Sequence, residues 1–150
     1  MIYLTADHGG YNLKNSLTAY LKENGYEVSD EGPFELKKDD DYPDYVFPVI
    51  KKLQLEPKDK AIVICRNGVG VSMYANRFDG IRAALSWKKE QAASSRNDDN
   101  SNVLALPSDY ISEKEAYEIA ETWLNTDFSE EERHKRRLQK VESTALWSSR

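Results

Sequence analysis

The residue with the clearest chemical potential is Cys65, the only cysteine of the chain. It ends a short apolar run, Ala61-Ile62-Val63-Ile64-Cys65, whose β-branched residues are typical of a strand buried on both faces. The segment Gly68-Val69-Gly70-Val71-Ser72 follows, and its glycines allow a sharp turn into a helix that opens near Val71. Backbone N–H groups converge on an anion at such a turn. The pattern therefore predicts a nucleophile or base beside an anion site, although most such turns only join a strand to a helix.

Length and composition restrict the class of protein. The 150 residues suit one domain with a real core, and the net charge of −5 argues against nucleic acid or an anionic membrane as the main partner. A single cysteine excludes an intrachain disulfide and favours a reducing compartment. Asp7 comes too early for a secretory signal, and no run approaches the roughly 18–20 apolar residues of a membrane span. We therefore expect a cytoplasmic protein.

Strand-like and helix-like segments alternate along the chain, which predicts a mostly parallel sheet with helices on both faces. Ser112 and Glu115 have the spacing of a capping box, and we expect Pro48 in or near the first turn of the second helix. The predicted strands are residues 1–6, 26–29, 61–65, 81–85 and 103–106, and the predicted helices lie between 10 and 25, at 44–55, 71–76 and 87–95, after 112, and around 133–141.

Parallel sheets of this kind bind ligands at the carboxyl ends of their strands. Asp7 and His8 follow the first strand, and Cys65 and Asn67 follow the third, so we expect all four at that edge. The polar loop 98–102 instead precedes the fifth strand, which places it at the opposite edge unless it reaches across. One interpretation is that this loop and the last helix serve a neighbouring subunit.

Several short motifs together resemble the ribose-5-phosphate isomerase B family, which includes the galactose-6-phosphate isomerase subunits. The resemblance covers about residues 1–142 as one domain, and residues 143–150 form a tail beyond it. The motifs, in one collinear order, are Asp7-His8-Gly9-Gly10, Asp41-Tyr42-Pro43-Asp44-Tyr45, Cys65 with Gly68-Val69-Gly70-Val71-Ser72, Gly80-Ile81-Arg82-Ala83-Ala84, Asn102-Val103-Leu104-Ala105, and Arg133-His134 with Arg137.

The resemblance implies a flavodoxin-like, three-layer α/β/α sandwich around a five-stranded parallel sheet. It also implies a homodimer or tetramer with active sites between subunits, and chemistry without a metal or organic cofactor. The implied reaction interconverts ribose 5-phosphate and ribulose 5-phosphate through a cis-enediol. Two alternatives remain open: an isomerase of a hexose 6-phosphate of the allose or galactose type, and a non-catalytic protein that binds a sugar phosphate.

The resemblance also implies a role for individual residues. Cys65 matches the base that removes the proton next to the carbonyl, and a thiol suits this role where a helix N-terminus stabilises its thiolate. The turn with Gly68, Val69, Gly70 and Ser72 matches the group that holds the enediolate oxygen. The phosphate ligands match His8, Arg133 and Arg137, and the contacts to sugar hydroxyls match Asp7 and Tyr42.

This chain departs from the family pattern at three places. Asn67 replaces the usual threonine or serine hydroxyl, and its amide donates a hydrogen bond but does not readily shuttle a proton. Asp98 and Asp99 replace a His-Asn pair whose histidine opens the sugar ring in the family. Asp98 could serve as a base in its place. Two adjacent carboxylates without a third ligand are weak evidence for a metal site. Asp109 replaces an arginine, which would shift the phosphate towards Arg66. We expect an active isomerase with altered ring opening or sugar choice.

Overall fold

The predicted alternation of strands and helices is present in the computed structural model, which describes the backbone of residues 1–145 and the side chains of residues 1–143. No helix in this part of the chain is long and apolar enough to cross a membrane. The elements are β1 (Ile2–Ala6), α1 (Tyr11–Glu23), β2 (Val28–Asp30), α2 (Tyr42–Leu55), β3 (Lys60–Cys65), α3 (Val69–Ala75), β4 (Ala83–Leu85), α4 (Lys89–Asn97), β5 (Val103–Pro107), α5 (Glu113–Leu124) and α6 (Glu132–Ala145).

The five strands form one parallel sheet in the order β2-β1-β3-β5-β4. The last two strands are exchanged relative to the 2-1-3-4-5 order of flavodoxin. As a result β5 lies beside β3, and Pro107 is in register with Cys65. β2 lies on one side of β1 and β3 lies on the other, so the order in which strands are added to the sheet reverses between β1 and β3. Open α/β sheets form their ligand crevice at such a switch point, at the carboxyl ends of the two strands.

Alternate residues of the central strands enter two separate hydrophobic cores, as the pattern of a strand buried on both faces requires. Ile62 and Ile64 pack with α1, α4 and α5, whereas Ala61 and Val63 pack with α2 and α3. The three-layer sandwich around a five-stranded parallel sheet is therefore confirmed.

Local sequence accounts for several helix boundaries. Ser112 Oγ accepts from the Glu115 N–H at 3.2 Å, and the Glu115 carboxylate accepts from the Ser112 N–H at 2.7 Å, so the predicted capping box is confirmed. Hydrogen bonds donated to the Glu115 carboxylate by the N–H and the hydroxyl of Ser112 lower the pKa of Glu115.

The second helix differs from its prediction. α2 begins at Tyr42, two residues before the predicted start, and Pro43 occupies its first turn, where a missing N–H costs nothing. The expectation for Pro48 is wrong, because this proline lies inside the helix, beyond its first turn. The earlier start places Tyr42 at the very beginning of the helix and directs its ring towards the candidate site.

The last helix that the structure describes is α6, which packs little against the other helices and strands. Its backbone continues to Ala145, so the predicted tail of residues 143–150 begins within this helix. Residues 146–150 lie outside the described part of the chain.

Candidate active site

Cys65 is the last residue of β3, and 5% of it is exposed. Its Sγ accepts a hydrogen bond from the Gly68 N–H at 3.1 Å. Gly68 has φ +70°, in the left-handed region that glycine adopts without a steric cost, and α3 begins at the next residue. The Cys65 sulfur therefore faces a backbone N–H donor at the start of α3.

Asn67 lies beside the thiol, and its side-chain oxygen faces inward. Oδ1 accepts from the Val69 N–H at 3.0 Å and lies 3.8 Å from Cys65 Sγ. Ser72, one turn along α3, donates its hydroxyl to the Val69 carbonyl at 3.1 Å. Asn67 therefore satisfies one of the unpaired N–H groups at the start of α3, and its NH₂ group is the part left for a ligand.

The turn after β1 lies across the switch point from Cys65. Asp7 is buried, and its Oδ1 accepts from the N–H groups of Gly9 and Gly10 at 2.8 and 3.2 Å. The Ser108 hydroxyl, which follows β5, lies 2.7 Å from the Gly9 carbonyl and 3.1 Å from the Cys65 carbonyl. These bonds hold the carboxyl ends of β1, β3 and β5 in one rigid cluster.

His8 projects from the same turn and meets Asp40, a residue that we did not predict. Asp40 Oδ1 lies 2.7 Å from His8 Nδ1 and accepts from the His8 backbone N–H at 2.9 Å. The Asp40 side chain is 5% exposed and the imidazole is 28% exposed. The 32 residues that separate the pair in sequence explain why no local pattern could have identified it.

Tyr42 closes the other side of the crevice. A Cβ atom added at Gly70 would lie 2.8 Å from Cε1 of the Tyr42 ring and 3.1 Å from its hydroxyl oxygen. Gly70 therefore allows the ring to rest directly on the first turn of α3. The structure brings Asp7, His8, Tyr42, Cys65 and Asn67 to the carboxyl edge of the sheet, as the topology predicts for four of the five.

Arg66 and Asp109, the exposed residues at the mouth of this crevice, face each other. Arg66 Nη1 lies 3.5 Å from Asp109 Oδ2, and the two side chains are 65% and 47% exposed. The arginine stem also packs closely against Gly9. Asp109 is thus at least partly neutralised, which leaves a positive and a negative group side by side at the entrance.

The remaining predicted residues lie at the opposite edge of the sheet. Asp98 follows the last residue of α4 and precedes β5, and the strand from Val103 to Pro107 spans about 13 Å at ~3.3 Å per residue. Asp98 Oδ1 lies 3.9 Å from Nδ1 of His134, a buried residue of α6 that also meets Ser129 Oγ at 2.9 Å.

Asp99 and two arginines of α6, Arg133 and Arg137, are exposed at this second edge. Arg133 Nε donates to Glu131 at 2.7 Å, and Arg137 lies one turn further along the same face. Within one chain, the candidate base and these candidate phosphate ligands therefore do not meet. Among the described residues, no three acidic, histidine or cysteine side chains are grouped so that they could hold a metal ion.

Comparison with known proteins places this geometry among sugar-phosphate isomerases. The sequence model of the Ribose/Galactose Isomerase family matches residues 2–141. A probable ribose-5-phosphate isomerase B of Mycoplasma genitalium is 40% identical, over 93% of this chain and 92% of that protein. The ribose-5-phosphate isomerase B of Mycobacterium tuberculosis is 33% identical, over 91% of this chain and 85% of that protein.

Solved structures show the same similarity. The crystal structure of ribose-5-phosphate isomerase B from Mycoplasma genitalium with bound ribulose-5-phosphate superposes with a TM-score of 0.91 at 38% identity, and covers 95% of this chain and 94% of that one. The ribose-5-phosphate isomerase B from Clostridium thermocellum reaches 0.93 at 37% identity, with 98% of both chains covered. The part of the chain that superposes on these structures thus includes both edges of the sheet at which the candidate residues lie.

Proposed function

The chain belongs to the ribose/galactose isomerase family, and we propose that it interconverts ribose 5-phosphate and ribulose 5-phosphate with Cys65 as the base. The observation that carries the proposal is the Gly68 N–H donated to Cys65 Sγ at the start of α3, in a fold that closely matches a relative solved with ribulose-5-phosphate. The same contact gives a thiol the environment that proton abstraction requires.

The reaction moves one proton between neighbouring carbons. Cys65 removes the proton from C2 of the open-chain aldose and returns it to C1, while the hydroxyl proton on O2 passes to O1. A cis-enediolate forms between the two steps, and its negative oxygen needs a fixed donor. Gly68 and Val69 already donate their N–H groups within the chain. The Gly70 N–H, which has no partner within the first turn of α3, is therefore the best placed donor.

The other groups at this edge bind the sugar and the phosphate. Asp7 and Tyr42 contact hydroxyl groups of the substrate, and Asn67 offers its NH₂ group beside the enediolate. His8 presents its imidazole to the phosphate, which carries up to two negative charges. Asp98 acts as the base that opens the ring, and the neighbouring Asp99 helps to bind the sugar.

The site is completed by a second copy of the chain. The Cys65 crevice and the exposed arginines lie at opposite edges of the sheet, so one protomer supplies the base and the other supplies Asp98, Asp99, Arg133 and Arg137. A two-fold axis lets both sites form at once. α6 supports this assembly, because it packs little on its own chain, exposes Val141 and borders a groove of about 570 Å³.

A reducing, cytoplasmic location suits this chemistry. Cys65 is a free thiol, and a base must remain reduced in order to accept the proton. The same requirement makes the enzyme sensitive to thiol oxidation.

The deciding experiment measures conversion of ribose 5-phosphate by the purified protein, with allose 6-phosphate and galactose 6-phosphate assayed in parallel. We expect turnover of the pentose and its loss in Cys65→Ala. Arg137→Ala should raise KM, so it should also be inactive when the substrate is kept far below that raised KM, and the complementation is assayed under this condition. When the two inactive variants are mixed and reassembled, about a quarter of the wild-type activity should return, because half of the dimers are mixed and each has one intact site.

The complementation separates the parts of the proposal. Activity retained in Cys65→Ala would exclude Cys65 as the base. Inactive single variants that fail to complement, although they exchange subunits, would exclude a site shared between protomers. Turnover of a hexose phosphate alone would change the substrate, and phosphate binding without any turnover would favour a non-catalytic binding protein.

A further inference from the structure

We propose that Asp40 is a positioning residue for His8, which fixes the imidazole so that Nε2 is the nitrogen that meets the substrate phosphate. The inference rests on the proposed function, because that function makes His8 a phosphate ligand. It adds a residue of the loop between β2 and α2 to the group of side chains that determine substrate binding.

The first support is the geometry of the pair. One oxygen of Asp40 accepts both the His8 backbone N–H at 2.9 Å and the ring Nδ1 at 2.7 Å. A carboxylate accepts and does not donate, so Nδ1 must carry a hydrogen. With the backbone and the ring held by the same atom, the imidazole has little freedom to rotate, and Nε2 is committed to the opposite direction.

The second support is the environment of the carboxylate. The Asp40 side chain is almost completely buried, and its Oδ2 makes no hydrogen bond of normal geometry to a described residue. A buried carboxylate is costly unless it has a partner, and His8 makes both of the contacts at Asp40 Oδ1. Burial, with the nearby Asp40 carboxylate, raises the pKa of Tyr45. The phenol therefore stays neutral and adds no second negative charge beside Asp40.

The third support is the position of the pair relative to the crevice. His8 follows β1 at the switch point, and its ring keeps 28% exposure although Nδ1 is covered. Asp40 is two residues before Tyr42, whose ring rests on Gly70. The same short segment therefore orients a phosphate ligand on one side and a sugar ligand on the other.

The chemical consequence is a split between binding and turnover. The phosphate is remote from the carbons that react, so a contact to it is made equally in the ground state and in the transition state. A misoriented His8 should therefore raise KM and leave kcat nearly unchanged. Asp40→Ala should raise the KM for ribose 5-phosphate about tenfold, the size of effect expected for one hydrogen bond to a charged group. kcat should stay within about threefold.

Two further variants distinguish positioning from a general effect on the fold or the charge. Asp40→Asn keeps an acceptor oxygen in the same place, so its KM should be much closer to the wild-type value than that of Asp40→Ala. Asp39→Ala removes an exposed carboxylate one residue away and should leave KM within twofold. The inhibition constant of inorganic phosphate should rise in parallel with KM in Asp40→Ala.

The tautomer itself is measured by nitrogen NMR of the imidazole rings. The chain has two histidines, and His8→Asn identifies the signal of His8 by its loss. The wild-type ring should carry hydrogen on Nδ1, and Asp40→Ala should change this signal while that of His134 stays unchanged. A wild-type His8 protonated only on Nε2, or a KM within twofold in Asp40→Ala, would overturn the proposal.

Failure of the proposed function would be recognised separately. A wild-type protein without isomerase activity refutes the reaction, whereas the ring-nitrogen spectrum and the calorimetric affinity for inorganic phosphate still decide the role of Asp40. A variant that does not fold leaves the wild-type spectrum and Asp40→Asn as the deciding measurements.

Discussion

Gly68 is the position where a single added methyl group should damage both the fold and the site. Its φ of +70° is unfavourable for any L-residue, and an added Cβ would overlap Cδ1 of Leu85 and lie 3.2 Å from backbone atoms of Leu106 and Pro107. Leu85 has a flexible side chain that can move, but the β5 backbone is held in the sheet. Two separate costs therefore fall on Gly68→Ala.

The magnitude follows from these two costs. The left-handed backbone costs an alanine about 1 kcal/mol relative to glycine. Forcing a methyl group against fixed backbone in a packed core costs a further ~1–3 kcal/mol. Gly68→Ala should therefore lower the free energy of unfolding by about 2–4 kcal/mol.

The matched control is Gly25→Ala. Gly25 has φ +84°, and nothing lies within 4 Å of an added Cβ. This variant carries only the backbone cost, about 1 kcal/mol. The difference between the two variants isolates the packing cost, and it is measured by urea unfolding at one protein concentration, since association of subunits also contributes to stability.

Activity gives the second measurement for the same variant. Displacement of Gly68 moves the N–H that meets Cys65 Sγ, and a shift of about 1 Å at a reacting group costs on the order of a hundredfold in turnover. Gly25→Ala should retain its kcat. Equal stability of the two glycine variants, together with kcat within twofold of wild type in Gly68→Ala, would refute both the packing estimate and the role of the turn.

Two further predictions concern ion pairs away from the site. Lys14 is fully buried and meets both oxygens of Asp30 at 2.6 and 2.7 Å. Lys14→Met removes the positive charge that pairs with that carboxylate and should cost about 3 kcal/mol in urea unfolding. Lys22→Met, on the exposed side of α1, should cost less than ~0.5 kcal/mol. Hydrogen bonds from the N-terminal ammonium and from Tyr3 lower the pKa of Asp59. A lowered folded pKa stabilises the fold above the unfolded value, near 3.8, and this stabilisation is lost as the pH falls through the folded value. Asp59→Asn should therefore cost ~0.5 kcal/mol at pH 7, since the pair is near the surface, and the two unfolding free energies should converge as the pH falls below 4; a difference that persists at pH 2 would contradict this.

Short-range patterns predicted much of the fold. The capping box at Ser112, the strand that ends in Cys65 and the loop at residues 98–102 all depend on residues a few positions apart. The same patterns failed at Pro48, because the true start of α2 depends on the extended backbone at Asp41 and on Pro43 in the first turn. Helix boundaries are decided by a fine balance of local terms, so errors of two residues are expected there.

The family resemblance identified the candidate base and phosphate ligands. The structure places His8 at the same edge of the sheet as Cys65, and Arg133 and Arg137 at the opposite edge. The resemblance did not identify Asp40, which contacts His8 from 32 residues away in sequence. It also did not identify Ser108, which contacts Cys65 from 43 residues away. It also did not determine which face of the Asn67 amide points inward; in the structure the oxygen serves the first turn of α3.

The amino-acid sequence alone therefore determined the class of fold, the Cys65 turn and the position of the 98–102 loop ahead of β5, because each depends on periodicity, glycine positions or the order of elements along the chain. The tertiary structure alone decided that β5 lies beside β3, that His8 is held by Asp40 and that Gly70 supports Tyr42. These contacts join residues far apart in sequence, and their free energy depends on how whole layers pack, which no local pattern records.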